Sequence, residues 1–549
     1  MAYPLCTVAA RAVQRLCKTV AESTPNTRDG FAAAPRSRPE ETAILSTFSQ
    51  FFSTKVSFLK QKETDSRTQM KTVGHALAFV GAMLGASFMV CAGVAWLARD
   101  ATALQVSFLS LGSACLLASV VSWFFTRGHA EYRRSDAMIL VVITWVFIGL
   151  VGALPYLVTG TCSTVPDAIF ESFSGFTTTG SSVLTDLEQL PHSVLFWRSM
   201  THFLGGVGIL IMFIAILPFV GAGGVQLYKA EATGLFDEKL TARIADTARI
   251  IVGIYVLLNV LCTVALRVAG LSWFDAVCHA FGAIATGGFS TRTNSIGAFA
   301  NPGVEWIIIA FMLLSGLSFV AHYHAMKGKL QAYWRSSEIR FFIVLCGASI
   351  VLSTALVWQR FGGEFTSTLR TAAFQTVSLF STTGYTTTDY EPWPNTIKLL
   401  FLVLMVIGAC AGSTSGAIKS VRVVVVAKLI ARQFRLLLHP SMIQKIRVDG
   451  ESIEETRANK ALSYIVMYLL IVAFATLVMT FFSPDILTAV SAVIACLGGV
   501  GPGMSAAGPS ETYAQFPAIA KLFLVFTMLL GRLEIYSCLA LFVPSFWKR

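Results

Sequence analysis

Apolar residues in this chain come in long runs separated by short polar stretches, from about residue 73 to the carboxyl end. Two runs, roughly 73–97 and 103–125, each reach the ~20 apolar residues that a helix needs to cross a bilayer. They predict a leading two-helix hairpin within 71–126. From residue 137 a larger unit repeats four times: a long apolar run, a short one, a turn rich in Thr and Gly, and a second long run. Unit one occupies 137–217, as about 137–159, 165–180 and 193–217, and unit two occupies 246–326, as about 246–269, 273–288 and 303–326. Unit three occupies 339–430, as about 339–360, 366–384 and 396–430, and unit four occupies 461–543, as about 461–482, 485–501 and 516–543. The short runs, about 12–16 residues, cannot cross a bilayer and predict re-entrant half-helices. The whole pattern predicts an all-α integral membrane protein: two leading transmembrane helices plus four membrane–pore–membrane repeats around one pore.

The turns carry the chemistry. The first reads Ser174-Gly175-Phe176-Thr177-Thr178-Thr179-Gly180-Ser181-Ser182, and the second Ala283-Ile284-Ala285-Thr286-Gly287-Gly288-Phe289-Ser290. The third is Leu379-Phe380-Ser381-Thr382-Thr383-Gly384-Tyr385-Thr386, and the fourth Cys496-Leu497-Gly498-Gly499-Val500-Gly501-Pro502-Gly503. Each follows a short apolar run opened by an acid: Asp167, Asp275, Glu364 or Asp485. At membrane depth such backbone must be buried in protein or line a water-filled path. Four turns around one axis would present rings of carbonyl oxygens, which replace the hydration shell of a potassium ion. Alignment superposes Gly180, Gly288, Gly384 and Gly501, where the turn needs positive φ or a pore free of side chains. The carbonyls just before them are the expected ion ligands: Thr178 and Thr179, Thr286 and Gly287, Thr382 and Thr383, Gly499 and Val500.

Composition agrees with a membrane setting: 55% hydrophobic and 13% charged residues, against about 25% charged in soluble proteins. The net charge of +12 would suggest a nucleic-acid partner, but its distribution along the chain excludes one. With the amino terminus inside, the inner segments 127–136, 218–249, 327–340, 419–460 and 544–549 carry 22 Lys/Arg, and the outer segments carry eight. That asymmetry sets the orientation, with both termini cytoplasmic. Outer acids, including Asp186, Glu188, Asp389, Glu391 and Glu511, outnumber the outer bases and would concentrate cations at the entrance. The 11 cysteines contain no C-x-x-C pair and read as small hydrophobes. Residues 1–70 hold ten Lys/Arg against six Asp/Glu and no membrane run. They read as a poorly structured cytoplasmic extension, or as the product of an upstream start with Met70 the true beginning; Arg11, Arg15 and Lys18 also suit a transit peptide.

Two further stretches stand out. Gly408 to Ala417 places small and polar residues midway along a span, where continuous helix is disfavoured. It either lines a cavity or forms a close helix–helix contact of the small-xxx-small type. Arg532 lies within the last span, where a charge faces a pore or a buried partner. Glu534, two residues on, shares no helix face with it, so its partner is expected elsewhere. His202, His279, His322 and His324 show no metal-ligand spacing and read as packing or interfacial residues.

At these residues the chain resembles the TrkH/KtrB/HKT superfamily of potassium transporters, and its two leading helices resemble the TrkH branch. The likeness rests also on Phe170 to Gly175, Leu204-Gly205-Gly206-Val207-Gly208-Ile209, Gln226-Leu227-Tyr228-Lys229-Ala230-Glu231, Gly408 to Thr414 and Gly531-Arg532-Leu533-Glu534-Ile535. It runs from about residue 70 to the carboxyl end. Gly498-Gly499 departs from the Asn-Asn of many relatives. The resemblance implies potassium as the transported ion and Gly180 as the mark of potassium preference over sodium. It makes the stretch with Gly412, Ser413, Thr414, Ser415, Gly416 and Lys419 a gate on the cytoplasmic side, and puts Arg532 beside the ion pathway. It further implies a homodimer in a bacterial inner (plasma) membrane, surrounded by membrane lipids and regulated by a cytoplasmic nucleotide-binding TrkA-type subunit. The chain has no P-loop and no G-x-G-x-x-G after a strand, so no nucleotide site of its own is expected. Paired acids or histidines for an intramembrane enzyme are also missing. The alternative is mechanistic: a cation-coupled (H+ or Na+) potassium symporter.

Overall fold

The computed structural model describes residues 73–126, 134–220, 244–441, 445–533 and 535–544. The extension over 1–70, the Gln226 to Glu231 motif and Glu534 lie outside the described residues. The leading hairpin is α1 (Val73–Leu97) and α2 (Thr102–Thr126). Few α2 side chains are buried, and Leu117, Phe124 and Phe125 project outward as lipid-facing residues would.

The first repeat comprises α3 (Arg134–Val158), the half-helix α4 (Val165–Phe176) and α5 (His192–Val220). The second comprises α6 (Ile244–Val268), the half-helix α7 (Trp273–Ile284), and α8 (Pro302–Gly316) with α9 (Phe319–Met326). A short α10 (Gln331–Arg335) leads into the third: α11 (Ser337–Phe361), the half-helix α12 (Phe365–Phe380), α13 (Asn395–Ile407) and α14 (Ser420–Leu438). A two-stranded antiparallel hairpin, β1 (Ile446–Val448) and β2 (Glu451–Ile453), precedes the fourth. That repeat has α15 (Glu455–Met479), the half-helix α16 (Ile486–Gly498), α17 (Ala518–Arg532) and α18 (Ile535–Leu539). Among the described residues six helices are long and apolar enough to cross a membrane.

One expectation is corrected. The run over 303–326 is not one helix: α8 and α9 meet at a 99° bend. The break falls at Gly316-Leu317-Ser318, where Leu317 is extended and α9 starts afresh. The fourth repeat's run over 516–543 likewise divides at Leu533.

Three of the four half-helices begin on sequence-encoded caps. Thr164 and Ser272 each accept the backbone N–H three residues on, from Asp167 and Asp275, while Asp485 accepts from Thr488 N. Such caps satisfy the first free amides of a helix. Each half-helix packs on the first helix of its own repeat and on the last helix of the preceding one. The latter pairs are α5 on α7, α8 on α12, α13 on α16, and α17 on α4. The last pair returns to the first repeat, so the four repeats close into a ring. Glycines permit that proximity: a β-carbon on Gly205 would overlap the Phe176 carbonyl, and one on Gly531 the Leu497 carbonyl.

Candidate functional site

The four half-helices end where the four turns begin, with Thr177, Ala285, Ser381 and Gly499 as C-caps. The turns share one backbone signature. Positive φ occurs at Thr178 (53°) and Gly180 (85°), Thr286 (53°) and Gly288 (78°), Thr382 (60°) and Gly384 (81°), and Gly499 (67°) and Gly501 (99°). The residue between is of ordinary hand in each. A β-branched residue with positive φ is an outlier, at about 1–3 kcal/mol each where the surroundings impose it. Three threonines accept that cost at equivalent positions, and the fourth copy relieves it with Gly499.

The turns touch in sequence. A β-carbon on Gly180 would overlap the Gly287 carbonyl oxygen, one on Gly288 that of Thr383, and one on Gly384 that of Val500. On Gly501 it would lie 2.7 Å from the Thr179 oxygen. The order one–two–three–four–one brings together every aligned glycine with a carbonyl predicted as ligand. Thr178, Thr179, Thr286, Thr382, Thr383 and Val500 are buried, while Gly180, Gly288, Gly384 and Gly499 keep partial exposure. Four helix C-termini converge on this ring, and their aligned dipoles add partial negative charge there.

The turns are braced from behind. In turns one and three a hydroxyl pair spans the threonine ladder, Thr177 with Thr179 and Ser381 with Thr383, both at 2.8 Å. In turn two His202 replaces it: its Nε2 accepts from Phe289 N (3.0 Å), so its Nδ1–H donates to the Gly175 carbonyl (2.8 Å). His279 lies against the Asp275 carbonyl and Ser290 Oγ. Both histidines are therefore hydrogen-bonded struts rather than general packing. Sequence reasoning missed the role of His202 because its partner is remote, His202 and Phe289 being 87 residues apart.

Each junction of neighbouring repeats carries polar clamps. Between one and two, the buried Glu171 accepts from Arg198 Nε (2.8 Å) and from Val183 N, and Arg198 Nη1 reaches the Ser290 carbonyl (3.0 Å). Between two and three, Arg370 pairs with Glu305 at 2.8 Å, and Tyr385 Oη donates to the Phe289 carbonyl. Between three and four, Tyr390 Oη donates to the Gly503 carbonyl (2.8 Å), and Glu391 accepts from Ser505 N and Lys398. Between four and one, Lys521 pairs with Asp167 (2.5 Å) and Ser181 Oγ donates to the Gly501 carbonyl.

The interruption predicted at 408–417 is present and runs to Lys419, between α13 and α14, with positive φ at Gly408, Gly412, Ala417 and Lys419. It crosses under the turns, at the half-helix C-termini. Thr414 Oγ1 donates to the Ile284 carbonyl (2.9 Å), and Gly416 N to Thr382 Oγ1 (3.0 Å). A β-carbon on Gly416 would overlap the Gly498 carbonyl. Gly412 accepts from Phe319 N, tying the segment to the bend between α8 and α9. Ser413 and Ser415 pair at 2.7 Å. Arg532 Nη1 donates to the Thr414 carbonyl (3.1 Å) and Nη2 to the Gly205 carbonyl (2.8 Å). The arrangement can hold a desolvated cation in a closed ring of backbone oxygens, with a non-helical segment bonded to the half-helix C-termini beside it.

Comparison with known proteins gives concordant matches. A family model, TrkH, described as a cation transport protein, matches residues 104–549. The Trk system potassium uptake protein TrkH of Salmonella typhimurium is 38% identical over 439 residues, covering 79% of this chain and 90% of that protein. Trk system potassium uptake protein TrkG of Escherichia coli is 34% identical over 431 residues, covering 78% and 88%. The crystal structure of the potassium transporter TrkH from Vibrio parahaemolyticus superposes with a TM-score of 0.78 at 33% identity, covering 87% of this chain and all of that one.

Proposed function

Because this chain belongs to the TrkH family of cation transport proteins, we propose that it moves potassium across a bacterial inner membrane through the ring of four turns. It is a multi-pass membrane transporter and not an enzyme. The observation that carries the reading is ring closure: each aligned glycine abuts the next turn's ligand carbonyl, and the fourth returns to the first. Residues alternating in hand turn successive carbonyls toward one side, unlike a strand, and such carbonyls substitute for water around a dehydrated ion. Thr178 to Gly180, Thr286 to Gly288, Thr382 to Gly384 and Gly499 to Gly501 are thus the selectivity filter. Gly412 to Gly416, with Lys419 at its end, is the gate, and Arg532 latches it through the Thr414 carbonyl. Both termini lie in the cytoplasm by the Lys/Arg asymmetry. Regulation comes from outside the chain, through a nucleotide-binding TrkA-type partner docked on a homodimer.

Flux in proteoliposomes tests this. A single pore predicts a reversal potential that follows the potassium gradient alone and is indifferent to ATP or ADP on the purified chain. A reversal potential that moves with proton or sodium gradients favours the symporter reading. All four repeats run in one direction rather than as the inverted pairs common in secondary transporters.

A further inference from the structure

Glu338, in the first turn of α11, is a buried carboxylate outside the ring of turns. One oxygen of it accepts from Ala411 N (2.5 Å) and from Val421 N (3.1 Å). Ala411 lies within the interrupted segment, and Val421 is the second residue of the helix that resumes after it. A single carboxyl oxygen therefore holds both flanks of the segment.

The neighbouring residue leads elsewhere. Ser337 N donates to Asp449 Oδ1 at 2.6 Å. Asp449 and Gly450, with φ of 54° and 89°, form the two-residue loop of the β1–β2 hairpin, the Asp-Gly turn favoured for tight hairpins. The hairpin is anchored by a small core of its own: Ile446, Val448 and Ile453 with Val425 and Leu429 of α14 and Ala458 of α15. Lys428 Nζ also donates to the Arg447 carbonyl (2.9 Å). On its other face Arg447, Asp449, Gly450 and Ser452 are exposed among the described residues.

We propose that Glu338 is a positioning residue for the interrupted segment, and that the β1–β2 hairpin controls it through Asp449, Ser337 and Glu338. Displacing the hairpin tip shifts the start of α11, and with it the carboxylate that holds Ala411 N and Val421 N. Movement of the hairpin thereby loosens the segment. This rests on the gate reading of 408–417, and the test separates the two.

A cysteine is placed at the buried Ser415 (Ser415→Cys), and its labelling by a water-soluble thiol reagent is measured above the parent's background in proteoliposomes, together with potassium flux. Glu338→Ala is expected to raise labelling at least about tenfold, as loss of two buried hydrogen bonds shifts a local equilibrium. Glu338→Gln, which retains an acceptor oxygen, gives an intermediate rate. Asp449→Ala, an exposed change, raises labelling in the same direction, and the double variant labels no faster than Glu338→Ala alone. Unchanged labelling in folded Glu338→Gln and Asp449→Ala, or additive effects in the double variant, overturns the proposal. Labelling that rises as expected while flux stays at the parental rate supports the coupling and instead overturns the gate reading.

Discussion

At the scale of single residues, the ring glycines make a ranked prediction. A β-carbon would clash with a carbonyl oxygen at all four, most severely at Gly180, Gly288 and Gly384 and least at Gly501 (2.7 Å). Replacing each by serine should erode the potassium/sodium permeability ratio at the first three positions and least at Gly501. The cause is displacement of the neighbour's ligand carbonyl together with strain of about 1–3 kcal/mol at positive φ. Equal loss at all four, or none, would contradict the cyclic contact. Arg198→Gln leaves Glu171 as an uncompensated buried charge, a change that typically costs about 3–5 kcal/mol. It should lower the melting temperature in detergent, and the double variant with Glu171→Gln should recover part of that loss. The glycines and threonines of the ring were legible in the sequence because four copies repeat one spacing. Glu171–Arg198 and His202 were not, since a lone charge or imidazole in an apolar run carries no record of its partner.

At the scale of elements, the third repeat's interruption is the clearest sequence signal after the turns, because Gly412 to Gly416 is too polar and too small to continue a helix. The break at Gly316-Leu317-Ser318 escaped notice for the opposite reason: it lies within a run apolar enough to read as one span. The two breaks meet, Phe319 N donating to the Gly412 carbonyl. Shortening 412–415 should raise potassium flux while preserving ion preference, since Gly416, which bonds the third turn through Thr382 Oγ1, is retained. A folded, shortened chain that conducts no faster than the parent would show that the segment is packing. Outside the spans, Glu188 accepts from Thr293 N (2.9 Å) and Thr293 Oγ1 (2.5 Å), joining the loops of repeats one and two. Burial raises its affinity for a proton, but these hydrogen bonds outweigh it and hold the carboxyl below its ordinary value. A lowered folded pKa stabilises above the unfolded value, and the contribution fades as pH falls below about 4. The acid limb of the melting curve should therefore flatten in Glu188→Gln, and an identical limb would remove Glu188 from the account.

At the scale of the whole molecule, hydropathy and the fourfold unit were enough for the architecture, because span length and backbone satisfaction leave a membrane chain few alternatives. How the units meet was not available from pattern alone. The Lys521–Asp167 pair that closes the ring joins residues 354 positions apart. No local periodicity encodes such a contact. The central claim is that a dehydrated cation sits inside that ring. Crystals of the chain grown in rubidium, a potassium substitute that scatters anomalously, test it most directly. The account predicts an anomalous peak on the axis, bounded by the carbonyls of Thr178 and Thr179, Thr286 and Gly287, Thr382 and Thr383, and Gly499 and Val500. Strong rubidium peaks elsewhere in the membrane region, with none between these four turns, would contradict it.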